Sequence, residues 1–335
     1  MKIIISQALI LLLTIYAAGQ KARVSPMADV TQILGESTEV AITYSRPGVK
    51  GRTIWGDLVP FDKVWRTGAN EATTISFTDD VLIEGEKLPA GTYALFTIPA
   101  KKEWTVIFNK SANQWGAFDY NSSDDALRIK VKSQSVSHTE WMQFSFENLN
   151  STSANVVLQW EKLKIPFKIE TLKKEGEIRA SLKAGLSQTI GESAKIVIDY
   201  SRPGVKGRKI WGELVPYNKV WRTGANENTT ISFSKDVLLE GKKLSAGTYS
   251  LHTIPSENEW TIIINKISNA WGSYDYNEKD DVLRVKVKPQ TSDSVTEWML
   301  FSIPELVPGS NKAIKSSTLT LSWGKLVVPV TIALE

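Results

Sequence analysis

The sequence predicts an all-β protein: two tandem β-sandwich domains, jelly-roll-like in outline, behind a cleaved signal peptide. Three observations carry that expectation. Residues 44–78 return at 200–234, shifted by 156 positions; six of the 35 positions change and 29 are kept, so one folding unit occurs twice. Short segments alternate apolar and polar residues with a period of two between Gly, Pro, Asn and Asp turns, and no stretch shows a convincing helical period. The 335 residues include no cysteine, so apolar burial has to hold each unit together. A closed barrel is the alternative architecture.

Met1 to Ala22 has one basic residue, Lys2, and a mostly apolar run from Ile3 to Ala18. That run is shorter than the ~20 residues a membrane span needs. Ala17, Ala18 and Gly19 then give the layout of a secretory signal cut before Gln20, with a retained anchor as the alternative. The expected divisions are a signal at 1–19, a first copy at 22–170 and a second at 177–335. Losing Lys2 takes the formal charge from +4 to +3. The pI of 8.9 is mildly basic, yet no Lys/Arg block stands out, which argues against nucleic-acid binding. The mature chain is expected to be exported, periplasmic or extracellular, with nothing embedded in a membrane.

In the first copy, Ser25 to Glu36 leads into a strand at 38–44, where Val40, Ile42 and Tyr44 alternate with polar residues. Ser45 to Ala72 lacks a sustained period and reads as a long loop punctuated by Pro47, Gly48, Gly51, Gly56, Pro60 and Gly68. Strands are expected at 73–77, 80–83, 92–98, 103–109, 127–132, 140–146, 156–160 and 163–169, with a Glu84-Gly85 turn. A second loop, 110–125, holds Trp115 and Asp119. Residues 170–183 are polar and charged and read as the linker. The second copy repeats the plan, with small insertions that move the offset to 157 at Trp141/Trp298 and 163 at Trp160/Trp323.

Chemistry is harder to find. The two histidines, His138 and His252, have no counterparts in the other copy, which excludes a Ser-His-Asp set or a His-based metal site common to both units. Both read as ordinary surface or half-buried residues. The twelve tryptophans form six matched pairs; Trp104 and Trp160 lie on apolar strand faces and read as core. Trp55, Trp65 and Trp115 fall on loops, where an indole caps a sandwich or offers a platform to a ring-shaped ligand. Trp65 to Glu71 adds Arg66, a planar fork for carboxylate or phosphate, Asn70, Glu71, and Gly68 as a sharp turning point. The bland reading is an internal network in which Arg46 and Arg66 hold Glu71 or Glu140. Glu140 shares strand parity with Met142, Phe144 and Phe146, so it either sits at the strand's mouth on an arginine or lies in a cleft with a raised pKa. The loops at 119–125 and 275–281 space oxygens in a way calcium can use, but lack the glycine and terminal glutamate of the best-known calcium loop.

YSRPGVKGR, IWGDLVP, VWRTGANEAT, LPAGTYALFTIP and WTVIFNK, followed by a Trp-Gly and an aspartate-rich loop, resemble the secreted bacterial family called domain of unknown function 2911. The second copy carries YSRPGVKGR, IWGELVPY, VWRTGANENT and LSAGTYSLHTIP, departing at His252 and at Leu182. The resemblance implies an exported all-β envelope protein and brings no catalytic residues.

The expected activity is binding of a small molecule or glycan in a polar, aromatic loop cleft of each domain. The candidate residues are Arg46, Trp55, Trp65, Arg66, Asn70, Glu71, Trp115 and Glu140, with Arg202, Trp211, Trp221, Arg222, Asn226, Glu227, Trp271 and Glu297 in the second copy. No catalytic residue, cofactor or metal is assigned. The rivals are a histidine-free hydrolase using Glu71 with Glu140 or Asp119, and a structural envelope protein whose loops join its own domains.

Overall fold

The computed structural model describes residues 23–173, 176 and 178–335, so the expected signal lies outside the described residues. The first copy has ten strands: β1 (Met27–Leu34), β2 (Thr38–Ser45), β3 (Thr74–Phe77), β4 (Val81–Ile83), β5 (Glu86–Leu88), β6 (Gly91–Ile98), β7 (Glu103–Asn109), β8 (Asp125–Lys132), β9 (Gln134–Glu147) and β10 (Ser153–Thr171). The second has β11 (Leu182–Ile190), β12 (Ala194–Arg202), β13 (Thr229–Phe233), β14 (Val237–Leu239), β15 (Lys242–Leu244), β16 (Gly247–Ile254), β17 (Trp260–Asn265), β18 (Asp281–Val287), β19 (Gln290–Pro308) and β20 (Ile314–Ala333). Among the described residues no helix is long and apolar enough to cross a membrane.

Each copy is a sandwich. In the first, β1-β2-β3-β6-β7-β8 form one layer and β5-β4-β10-β9 the other, and the second copy repeats this order. Alternation drives the packing: β1 and β2 turn Val30, Leu34, Val40 and Ile42 inward, where Trp104 and Trp160 fill the space between layers at 0% and 1% exposure. The Glu84-Gly85 turn joins β4 to β5 with both residues at positive φ, 49° and 92°, the two-residue geometry that matches strand twist.

Three departures from the expected strands have physical causes. Glu86–Leu88, where no strand was expected, is a short strand against β4. The segments expected at 156–160 and 163–169 are one strand, β10, which bends at Glu161 (φ 55°) where the pairing with β9 shifts register. In the second copy Gly324 (φ 61°) occupies the matching bend in β20. The third departure matters most. Met27–Leu34, read as a lead-in, is the strand that joins the copies.

β1 pairs antiparallel with β11, so the large layers of both sandwiches merge into a single twelve-stranded sheet. The register is centred on Val30↔Leu186, matching positions in the two copies, so a pseudo-two-fold axis passes through that pair. Buried side chains cross the seam reciprocally. Arg46 Nη1 donates to Gln188 Oε1 at 2.6 Å, and Arg202 Nη1 donates to Gln32 Oε1 at 2.8 Å. Each glutamine also spans the seam with its amide: Gln32 Nε2 reaches the Lys183 carbonyl and Gln188 Nε2 that of Met27. Gln32 and Gln188 are fully buried, and Arg46 and Arg202 are 2% and 3% exposed.

Arg46 and Arg202 thus belong to the junction. Removing a neutral acceptor from a buried cation is costly. Gln188→Leu, of similar bulk, is expected to cost about 2–4 kcal/mol in urea unfolding. A loss no larger than that of an exposed substitution such as Lys101→Ala would show that the seam does not depend on this bond.

Candidate functional site

The long loop between β2 and β3 adopts the same conformation in both copies. Lys50, Asp62, Thr67 and Asn70 have φ of 50°, 59°, 54° and 58°, and their mates Lys206, Asn218, Thr223 and Asn226 have 48°, 59°, 54° and 59°. The left-handed region is unfavourable for a β-branched residue, so Thr67 stores strain that its surroundings must impose. They do: Thr67 is 1% exposed, its hydroxyl bonds Thr97 at 3.2 Å, and its carbonyl accepts from the Thr73 hydroxyl at 2.7 Å. Gly68 is needed for close approach rather than for a turn, since a Cβ there would lie 2.9 Å from the Thr73 hydroxyl and 3.2 Å from the Ser45 carbonyl.

The loop delivers two tryptophans to the core end. Trp55 and Trp65 are half-buried and join Trp104 and Trp160 in a four-ring cluster: Trp55 meets the others edge-on at 5.0–5.9 Å, and Trp65 stacks on Trp160 at 5.9 Å. Trp211, Trp221, Trp260 and Trp323 repeat the cluster. The indole N–H groups of Trp55, Trp104 and Trp160 have no hydrogen-bond acceptor, and edge-to-face contact against neighbouring rings is the arrangement that partly satisfies them.

Beside this cluster lies a cleft of about 310 Å³, walled by Trp65, Trp160, Lys50, Arg52 and Arg66 together with Pro47, Gly48 and Leu58. Its lining has three cationic side chains and no carboxylate. Arg52 is tied to the Val49 and Gly48 carbonyls at 3.1 and 2.6 Å, and Lys50 stands over the Trp141 ring at 5.2 Å. Burial, and next the charge of Arg52, push the Lys50 ammonium below its ordinary value. Arg66 is half-buried, and its Nε has no partner. Of the thirteen lining positions, twelve carry the same residue in the second copy; Val24 alone differs, with Ala180 as its mate.

Four of the candidates meet on the far side of the loop. Trp115 bridges to Glu71 through the backbone, the Gly116 N–H donates to the Asn70 carbonyl at 3.0 Å, and the Arg66 guanidinium lies against Gly116. In the second copy Arg222 Nη1 donates to the Asn226 carbonyl at 3.2 Å. Trp115 and Trp271 are exposed, 59% and 55%, at the rim. Asn70 and Asn226 turn inward to the Ser25 and Ser181 carbonyls, both at 3.2 Å.

The carboxylates are committed elsewhere. Both Glu71 oxygens accept from Arg23 at 2.7 Å, and Glu227 is held likewise by Arg179 and additionally by Lys183. Burial acts to raise the Glu71 carboxyl, but the Arg23 hydrogen bond, a backbone N–H and the Arg23 charge outweigh it and hold the group below its ordinary range. Glu140 accepts from the Lys50 backbone N–H at 2.8 Å, as Glu297 does from Lys206, so both brace the loop through backbone rather than an arginine. Asp119 is exposed, and Asp125 is engaged by Asn109, Tyr120 and Arg128. Among the described residues no three acidic or histidine side chains converge as a metal site.

His252 was missed. It is 3% exposed in the place of Phe96, edge-on to Tyr276 at 5.2 Å as Phe96 is to Tyr120, with the Ser273 hydroxyl 3.5 Å from Nδ1. Ser273 stands where the first copy has Ala117, so the two exchanges are coupled in space. His138, by contrast, is exposed beside Glu140.

The fold and the cleft together define an all-β protein of two sandwiches that share one sheet. The chain belongs to the family described as Protein of unknown function (DUF2911), whose model matches residues 25–169 and again 181–332. No curated protein and no solved structure matches it.

Burial lowers the His252 pKa to about 4, with Asp281 opposing, whereas the unfolded chain takes up its proton near 6.5. The unfolded state therefore binds the proton first, and stability that is complete above pH 6.5 falls as the pH approaches 4. Between pH 7 and 4.5 this residue is expected to account for about 2–3 kcal/mol. His252→Phe, the first copy's residue, should lose that share of the pH dependence in urea midpoints. Equal slopes in both proteins would sink the assignment.

Proposed function

We propose that the protein is an exported binding protein whose loop cleft in each domain takes a small anionic molecule or an acidic glycan. The single observation that carries this reading is the charge of the cleft: Lys50, Arg52 and Arg66 line it with no carboxylate among them. Permanent guanidinium charges suit carboxylate and phosphate oxygens, and half-buried Trp65, backed by buried Trp160, adds an aromatic surface for a sugar or other ring. Twelve of thirteen lining residues are kept between the copies, which supports one ligand class for both clefts. Export rests on the apolar run after Lys2 and the small residues before Gln20. Committed carboxylates at Glu71 and Glu140 favour binding over hydrolysis by a carboxylate pair.

The test is a screen of acidic and neutral sugars and small carboxylates against the mature chain, read by tryptophan emission and calorimetry. The Arg66→Ala, Arg222→Ala double variant is expected to bind an acidic hit at least about tenfold more weakly, the loss of one charge-assisted contact per site. Unchanged affinity in a double variant with native circular dichroism would remove the cleft from consideration.

A further inference from the structure

Under the seam, between the shared sheet and the facing edges of β9 and β19, lies a second cavity of about 150 Å³, lined by Tyr44, Arg46, Gln143, Gln159, Tyr200 and Arg202 among others. Arg46 is 2% exposed and makes no ion pair with any described residue. Its Nε donates to the Met142 carbonyl and Nη1 to Gln188, both neutral, while Nη2 is buried with no partner. Arg202 is better supplied, because its Nη groups also reach the Phe146 carbonyl at 3.2 Å. Arg46 makes no such bond to Ile303, the matching residue of β19, where pairing with β20 slips beside Pro304. Glu147 also lines the cavity and acts on Arg202, but it pairs with Lys164.

A guanidinium stays charged at any pH a protein survives, and burying it uncompensated is expensive. The neighbouring hydroxyls point to the same need. Tyr44 accepts from the Phe144 N–H and Tyr200 from the Phe301 N–H, and no acceptor for either hydroxyl proton is found among the described residues. Free donors and a net positive lining therefore face one small space.

We propose that this junction cavity is an anion site, in which Arg46 Nη2 holds an oxyanion of phosphate or sulfate size with Arg202 and the tyrosine hydroxyls as further donors. The site exists only where both copies meet, since Arg46 is oriented by Gln188 and Arg202 by Gln32. It is distinct from the loop clefts, which it leaves free for their own ligand.

The probe is inorganic phosphate added to the mature full-length chain at constant ionic strength, with chloride as the reference salt. Wild type is expected to gain about 3 °C or more in Tm, and one site per chain is expected to remain in calorimetry once the loop clefts are disabled by Arg66→Ala, Arg222→Ala. Gln188→Glu places a carboxylate on Arg46 from within and should abolish the response. Arg66→Ala, Arg222→Ala should retain it. No heat and no Tm shift in wild type would overturn the proposal, and calorimetry of the Arg66/Arg222 double variant decides the matter even if Gln188→Glu fails to fold. An equal response in folded Gln188→Glu would also overturn it, as would loss of the response in the Arg66/Arg222 double variant, which would move the anion to the loop cleft.

Discussion

A buried guanidinium that lacks a carboxylate has to be held by neutral acceptors, and here each copy supplies the acceptor for the other's cation. Arg46 ends on Gln188 and Arg202 on Gln32, across a seam of paired backbone. Neither sandwich satisfies its own arginine. The twelve-stranded sheet follows from this, because a glutamine on the inward face of β1 or β11 is tolerable only where the opposite copy brings a donor. The seam also covers what would otherwise be two open sheet edges, the usual route to unwanted association.

The same arginine positions the loop. Arg46 is the first residue after β2; its backbone N–H bonds the Pro26 carbonyl at 2.8 Å and its Nε bonds Met142, so the chain leaves the sheet in a fixed direction. Glu140 then holds residues 49 and 50, and Thr73 closes the far end on Thr67. Between these anchors the loop carries its non-glycine residues of positive φ, four in each copy. Strain at Thr67 and Thr223 persists because both ends and the tryptophan cluster over-determine the path. The cleft is thus a product of the frame, with Arg52 held on the Gly48 and Val49 carbonyls.

Strand periods, turn chemistry and the internal repeat made the all-β, two-sandwich frame legible from sequence, down to the Glu84-Gly85 hairpin. β1 escaped because Gln32 interrupts the apolar phase of Ala28, Val30 and Leu34, and its reason for being buried lies 170 residues away at Arg202. β10 was divided because Glu161 bends a strand without ending it. At the site, Arg66, Asn70, Glu71 and Trp115 do come together, and Trp65 walls the cleft. Arg46 belongs to the seam and Trp55 to the ring cluster. Nothing local distinguishes an arginine that lines a cleft from one that crosses a junction, since Arg46, Arg52 and Arg66 all stand in the same irregular segment between β2 and β3. His252 was illegible for the same reason, its burial being set by the loop folded over it.

Drift between the copies is not spread evenly, and its pattern separates frame from site. On the outer face of the seam Asp29 faces Ser187 and pairs with Lys195, whereas its mate is Gly185, and Thr43 has Asp199 as its mate. There the symmetry is broken, and a depression of about 460 Å³ has opened around Asp199, whose carboxyl is raised by the protein crowded about it. On the inner face the Arg–Gln exchange is kept in full, because losing either member strands a buried charge. In the loops the kept residues include Lys50, Arg52 and Arg66: Lys50 and Arg52 are exposed, Arg52 donating to the Gly48 and Val49 carbonyls, and Arg66 has a nitrogen left over. Stability explains the retention of the seam. It does not by itself account for Lys50, Arg52 and Arg66 being kept together on one cleft wall, and the proposed anion binding rests on that feature.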